Sequence, residues 1–208
     1  MHPNPAFRQE TEAQHIAFAR ERGFGVLSVN GTDAPLLSHI PFLLSEDGTH
    51  AELHLVRSNP IARLEDGPAA IAVSGPDSYV SPDWYEVPDQ VPTWNYVAVH
   101  LRGQLERRPE AELRGMLDAL SAHFERRLSP KPEWVTTKMT PEALSRMMRQ
   151  IIPYRLHIST SEGTWKLNQN KPDAVRLRAA DRIEACKIGT EAQMLAAMMR
   201  AANEGENR

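Results

Sequence analysis

Between Phe24 and Glu106 the chain runs through five short apolar segments joined by brief polar turns. That spacing most constrains the fold. Connections so short suit antiparallel neighbours, because a parallel pair needs a crossover of a dozen or more residues. The segments are Phe24–Val29, Leu36–Leu44, Glu52–Arg57, Ala69–Ser74 and Thr93–Glu106. Asn30-Gly31 between the first two is a hairpin signal. Glu52-Leu53-His54-Leu55-Val56-Arg57 alternates polar and apolar, as a half-buried strand does. Nothing reads as a repeated βαβ unit, so a meander that closes a sheet or barrel is expected.

Helices flank this β region. Thr11 and Gln14 have capping-box spacing and Gly23 is placed to stop a helix over Thr11–Arg22. Asn59-Pro60-Ile61-Ala62-Arg63-Leu64 predicts one or two helical turns. From Pro109, Leu113, Met116, Leu117, Leu120, Phe124 and Leu128 recur at three and four residues, one face of a helix. Thr140-Pro141-Glu142 opens another, with Leu144, Met147, Met148 and Ile151 on its apolar face. Tyr154–Ile158 and Thr164–Leu167 read as two further short strands. Asp173–Ala185 and Thr190–Ala202 read as closing helices, with Asn203 to Arg208 a frayed polar end. The expected class is mainly β with flanking helices (α+β), as one domain. A helical insertion spans about 109–150, and C-terminal helices span about 172–202.

No apolar run reaches the length that spans a bilayer, and the first residues lack the order of a secretory signal. Cys186 is the one cysteine of the 208 residues, which excludes an intrachain disulfide and a cage of several thiolates. A reducing cytoplasm fits this usage. Net charge is −3, which argues against strong non-specific attraction to nucleic acid. Residues 1–100 carry 5 Lys and Arg against 13 Asp and Glu, and residues 101–208 carry 19 against 14. The asymmetry reads either as a partner-facing side or as ordinary solvated surfaces.

Three stretches carry candidate chemistry. In Tyr79–His100 stand five of the eight Trp and Tyr residues, stiffened by Pro82, Pro88 and Pro92. It reads as a core plug or as a pocket wall in which Trp94, Asn95 and Tyr96 offer ring faces and an amide. Arg57-Ser58-Asn59-Pro60 combines a planar cationic fork with hydroxyl and amide side chains before a short helix. It reads as an anion site or as a capped turn. Trp165-Lys166-Leu167-Asn168-Gln169-Asn170-Lys171 joins two cations to three amides, either for a ligand or as a polar turn. His39, His54 and His100 fall on strands, as hydrogen-bonded residues or as ligands; no metal site is expected. Pro41 beside His39 suggests an edge or bulge, where sites often form.

Gly75–Tyr85 and Val91–His100, with His39-Ile40-Pro41, Arg57-Ser58-Asn59-Pro60 and Trp165–Lys171 in the same order, resemble the PaiB-type family of FMN-binding negative transcriptional regulators. The resemblance extends from about residue 7 to 200. It implies an antiparallel FMN-binding split β-barrel, like that of the pyridoxamine phosphate oxidases, as a homodimer with FMN at the subunit interface. It also implies a repressor role, with DNA a candidate partner. No helix-turn-helix signature accompanies it. Carried onto this sequence, the FMN phosphate falls near Arg57, Ser58 and Lys166, with Asn59 also among the cofactor-binding residues. The ring falls near Ser38, His39, Pro41 and the Val56 backbone, with Trp94 or Asn168 from the partner chain.

No residue is an obvious proton donor, which puts a flavin-binding regulator or sensor ahead of an enzyme. Alternatives stay open: a flavin oxidoreductase fed by reduced nicotinamide, a direct DNA-binding repressor, and a barrel that holds haem, or no cofactor, in place of FMN. With haem, His39, His54 or His100 would be axial candidates. The loop Glu86–Gln90 is short, which bears on access to the pocket.

Overall fold

The computed structural model describes residues 2–202, and among these described residues are seven strands and five α-helices. The strands are β1 (Phe24–Val29), β2 (Leu36–Leu44), β3 (His50–Val56), β4 (Gly67–Val80), β5 (Thr93–Arg107), β6 (Ile151–Lys166) and β7 (Gly189–Thr190). The helices are α1 (Glu12–Arg22), α2 (Leu113–Glu125), α3 (Pro141–Met148), α4 (Asp173–Glu184) and α5 (Ala192–Ala201). Strand order is β1-β2-β3-β6-β5-β4, and β1 pairs again with β4, closing a six-stranded antiparallel barrel. The chain divides into two units.

The barrel unit comprises residues 16–73 and 100–161. Its interior follows from alternation. β3 buries Ala51, Leu53 and Leu55 and turns the residues between them outward. Leu27, Phe42, Ile71, Leu101 and Leu156 join them in the core. On the outer face Glu52 sits opposite Arg155 in the β3–β6 register and accepts from its Nε at 2.7 Å. At Gly103 a Cβ would lie 1.7 Å from the His157 carbonyl oxygen, so only glycine permits β5 and β6 to approach there. Residues 36–41 of β2 pair with β1, and residues 42–44 pair with β3. The partner changes beside Pro41, whose missing N–H cannot serve a ladder. From α2, Leu113, Met116 and Leu120 are buried. Leu128, expected on the same face, belongs to a 3₁₀ turn and is 54% exposed.

The helical unit comprises residues 2–15, 74–99 and those described from 162 onward. Thr11 caps α1 as its spacing predicts: Gln14 Nα donates to Thr11 Oγ1 and Thr11 Nα donates to Gln14 Oε1. Asn4, Ser81 and their following prolines start the 3₁₀ turns Pro5–Phe7 and Pro82–Tyr85. Arg176, almost fully buried, donates to the carbonyls of Met199 and Arg200 at the C-terminal end of α5 and to Asp173. A cation there meets orphan carbonyls and the negative end of the helix dipole.

Three local expectations change. Tyr154–Ile158 and all of Thr164–Leu167 but its last residue belong to one strand, β6, which runs through the polar residues Ser159–Gly163. Ile151 opens that strand and does not finish α3. Thr190 lies in β7, where Asp77 Oδ1 accepts from its N–H at 3.0 Å, so α5 begins later than predicted. The expected frayed end falls outside the described residues. Among the described residues no helix is long and apolar enough to cross a membrane.

Candidate functional site

In the barrel unit the expected site residues gather where β3 ends. Val56, at the edge of the alternating run, is 51% exposed. The chain then turns, with Asn59 Nα donating to the Val56 carbonyl at 2.9 Å. Asn59 is extended, and its Oδ1 accepts from Ile61 N–H at 3.0 Å, starting the 3₁₀ turn Pro60–Arg63. Its Nδ2 donates to Ser38 Oγ on β2, also at 3.0 Å. One amide therefore caps the turn and ties it to the strand that carries His39. His39 is exposed, pairs with Val26 across the ladder, and stacks on Phe24 with ring centroids 6.5 Å apart. Pro41 pairs with Phe24.

Arg57 and Ser58 are exposed in this turn. The guanidinium is already engaged: Nε donates to the Arg149 carbonyl at 2.6 Å and Nη2 to Glu110 Oε1 at 2.5 Å. Arg57 holds the Glu110 carboxyl below its usual range through that hydrogen bond and its charge. Glu110 and Arg149 went unnoticed in the sequence because they lie far from Arg57 along the chain.

In the helical unit Trp94, Lys166 and Asn168 find different surroundings. Trp94 is 46% exposed and meets Tyr79 edge to face at 6.4 Å. Asn95, offered as an amide handle for a ring, is instead fully buried, with Nδ2 3.4 Å from Met199 Sδ. Tyr85 is core, and its carbonyl accepts from Arg178 at 2.6 Å. The aromatic stretch thus divides between plug and exposed wall.

Lys166 Nζ donates to Thr93 Oγ1 and lies 5.8 Å from the centroid of the Phe7 ring. Lys171 Nζ donates to Gln90 Oε1 at 2.5 Å and stands 4.2 Å over the Tyr85 ring. Both ammonium groups line one cavity of about 250 Å³. Burial lowers both lysines from their ordinary range, and the charge of Lys171 lowers Lys166 further. Asn168 is buried, has φ 61°, and its Oδ1 accepts from the Tyr85 hydroxyl at 3.3 Å. Its Nδ2 has no partner. Of this group, Tyr85 was readable only as core, and Lys171 only as one cation of a polar turn.

Of the three strand histidines, His54 is pushed down by burial, and its Nδ1 lacks a partner. No group of three or more His, Cys, Asp or Glu residues among the described residues is placed to hold a metal ion.

Comparison with known proteins assigns the family. The family described as "Putative FMN-binding domain" matches residues 1–160. The Bacillus subtilis "Protease synthase and sporulation protein PAI 2" is 25% identical over 185 residues, 86% of this chain and 88% of the relative. Among solved structures, the FAD and haem binding protein of Mycobacterium smegmatis superposes with a TM-score of 0.55 at 17% identity, covering 77% of this chain and 73% of the other. The flavocytochrome Anf3 of Azotobacter vinelandii gives 0.54 at 16% identity, covering 79% and 72%. Those two structures share the fold, the antiparallel split barrel that the family resemblance implies. The chain belongs to this FMN-binding domain family of PaiB-like split-barrel proteins.

Proposed function

We propose that the chain is an FMN-binding protein with a regulatory or sensing role, acting as a homodimer. The observation that carries the reading is the β3 turn in a chain of this family. There an exposed arginine, an exposed serine and an Asn59–Ser38 bridge stand beside the exposed apolar Val56 and the His39 ring. This donor set fits FMN: guanidinium and hydroxyl suit a phosphate, and an apolar edge beside polar groups suits a flavin ring. In this reading Arg57, Ser58 and Asn59 hold the phosphate end. Ser38, His39, Pro41 and Val56 border the ring, and Trp94, Lys166 and Asn168 complete the site from the second copy. The unpartnered Asn168 Nδ2 and the ammonium of Lys166 supply donors that fit an anionic, acceptor-rich ligand. When bound, FMN supplies one- and two-electron chemistry. The residues named bind it, orient it and shield it from water.

The regulatory role follows the family likeness and the sporulation and protease functions in the Bacillus relative's name. A barrel that takes haem is the second reading, favoured by the two structural neighbours named for haem and flavocytochrome binding. One experiment separates them. The purified protein is scanned in the visible and then denatured to release its chromophore. Flavin bands, or uptake of added FMN, support the proposal, and a Soret band supports haem. A colourless protein that takes up neither removes the cofactor. Bleaching of the flavin-loaded protein by reduced nicotinamide under anaerobic conditions would make it an oxidoreductase instead.

A further inference from the structure

The cavity of the helical unit gathers two ammonium groups, neither of which is paired with a carboxylate among the described residues. Its lining includes Tyr85, Thr93, Lys166, Asn168 and Lys171. Lys166 is met by a hydroxyl and the Phe7 ring face, Lys171 by an amide carbonyl and the Tyr85 ring face. Every one of these partners is neutral. Among the described residues no carboxylate comes within 4.0 Å of either ammonium, although Asp89 lines the same cavity. Several other cations of the chain are paired. Arg57, Arg108, Arg155 and Arg200 each meet a carboxylate. Two partly buried cations sharing one cavity repel each other, and neutral dipoles compensate less than a counter-charge does.

A second, independent feature points the same way. Asn168 is 2% exposed and held in the left-handed region, with its carbonyl fixed by the Tyr85 hydroxyl. That hydrogen bond leaves the amide Nδ2 a buried donor without an acceptor, on a residue that lines the cavity of the two ammonium groups. Buried donors are rarely left unmade without a functional reason.

We propose that this cavity is an anion-binding subsite that takes one phosphate or carboxylate group. Lys166 and Lys171 supply charge and Asn168 supplies a directed amide donor. Tyr85 is a positioning residue, holding Asn168 in the orientation that presents Nδ2. The volume of about 250 Å³ is below the roughly 300–1,000 Å³ of pockets that enclose a whole ligand. The subsite therefore takes a small inorganic anion or the anionic end of a larger molecule. Two sources share this chemistry: the phosphate of FMN itself, and a separate small anion bound whether or not FMN is present. The proposal stands without the FMN reading and adds Lys171 and Tyr85 to the residues that reading uses.

The test is calorimetric titration of the full chain with inorganic phosphate, FMN and riboflavin. The wild type is compared with Lys171→Gln, Lys171→Arg and Tyr85→Phe, each first checked for an unchanged cooperative melt. The wild type should bind phosphate or FMN, and Lys171→Gln should weaken that binding roughly tenfold or more, the scale of a lost charge-assisted hydrogen bond. Lys171→Arg should recover part of the loss. Tyr85→Phe should weaken it less, with the pH dependence of binding preserved because both cations remain. If Lys171→Gln weakens FMN but spares riboflavin, the anion is the flavin's phosphate. If it weakens phosphate alone, the subsite serves a separate anion. A chain that binds phosphate but no flavin upholds the subsite and sinks the FMN reading. A wild type that binds no phosphate, and whose FMN affinity Lys171→Gln leaves unchanged, overturns the subsite.

Discussion

The chain uses one short pattern twice at strand ends, and the two copies are built differently. Arg57-Ser58-Asn59 follows β3 in the barrel unit, and Lys166-Leu167-Asn168 closes β6 in the helical unit. Each is a cation followed two residues later by an asparagine. In the first, the cation is exposed and paired with Glu110, and the asparagine has φ −61° and caps a turn. In the second, the cation is half-buried and meets a neutral hydroxyl, and the asparagine has φ 61° and a donor left over. Sequence pattern alone cannot tell a satisfied turn from a poised one. The difference lies in what the rest of the chain brings to the cation: a carboxylate from the start of the helical insertion at Arg57, and a threonine from β5 at Lys166.

The largest expected effect separates the two asparagines. Asn168→Ala leaves the buried Tyr85 hydroxyl unpaired and forces a left-handed conformation on alanine. Together these cost about 2–4 kcal/mol. Asn59→Ala removes the cap and the bond to Ser38 Oγ without backbone strain, at about 1–2 kcal/mol. Asn168→Gly keeps the backbone conformation at little strain and should lose less than Asn168→Ala. Urea midpoints measure all three. Equal losses for Asn59→Ala and Asn168→Ala would erase the distinction. The next effect concerns the cations. If Arg57 receives the FMN phosphate, Glu110 competes for the same guanidinium. Glu110→Gln should then tighten FMN binding roughly twofold to fivefold, the range of a modest screened ion pair, with no change in melting temperature. Unchanged or weaker FMN binding in that variant would remove Arg57 from the phosphate site.

The elements most legible in sequence were those whose signals are local. The Thr11–Gln14 box, Gly23 and the alternation of β3 each depend on residues a few positions apart, and the structure places them as read. Ser159–Gly163 was opaque because its polar residues carry no periodicity. Neighbouring strands hold it extended, as where Ser159 Oγ donates to the Arg102 carbonyl. β7 was hidden for a related reason, since two residues are a strand only because Asp77 and Ser78 pair with them. The candidate site divides in the same way. Asn59 was readable as a cap from Pro60 beside it. The bond from Asn59 to Ser38, the pairing of Arg57 with Glu110 and the stacking of Lys171 on Tyr85 all join residues distant in sequence. No pattern within either segment announces them.

A smaller effect distinguishes the units in acid. His54 lies on β3, and burial lowers its pKa from 6.5. In the window between that lowered value and 6.5 the unfolded chain binds the proton and the folded chain does not. Stability from this group is therefore full above pH 6.5 and falls as pH drops through the folded value. His54→Gln has no such proton to bind. Its stability relative to the wild type should be constant above pH 7 and improve as the solution is acidified. A difference that stays flat down to pH 5 would show that His54 is not held neutral.

The smallest expected effect tests the helical unit at the opposite end of the scale. Lys166 and Lys171 are both lowered from 10.5, chiefly by burial. Below their folded values both states are charged, and the folded state bears the whole cost of keeping two cations in one cavity. As pH rises from those values toward 10.5 the folded lysines lose their protons first. The unfolded state then binds more protons, and stability rises with pH. Tyr85 and Tyr154 are raised above 10.0 by burial and act in the opposite direction near the top of this range, so the wild-type curve alone is ambiguous. The informative quantity is the difference between wild type and Lys171→Gln, in which both tyrosines remain. At pH 8 the variant should be at least as stable as the wild type, because it lacks one uncompensated cation. That advantage should shrink as pH approaches 10.5. Saturating phosphate should abolish it at pH 8 by supplying the missing anion to the wild type alone. An advantage that is independent of both pH and phosphate would mean that the two lysines are already compensated, and the contrast with Arg57 would lose its physical basis.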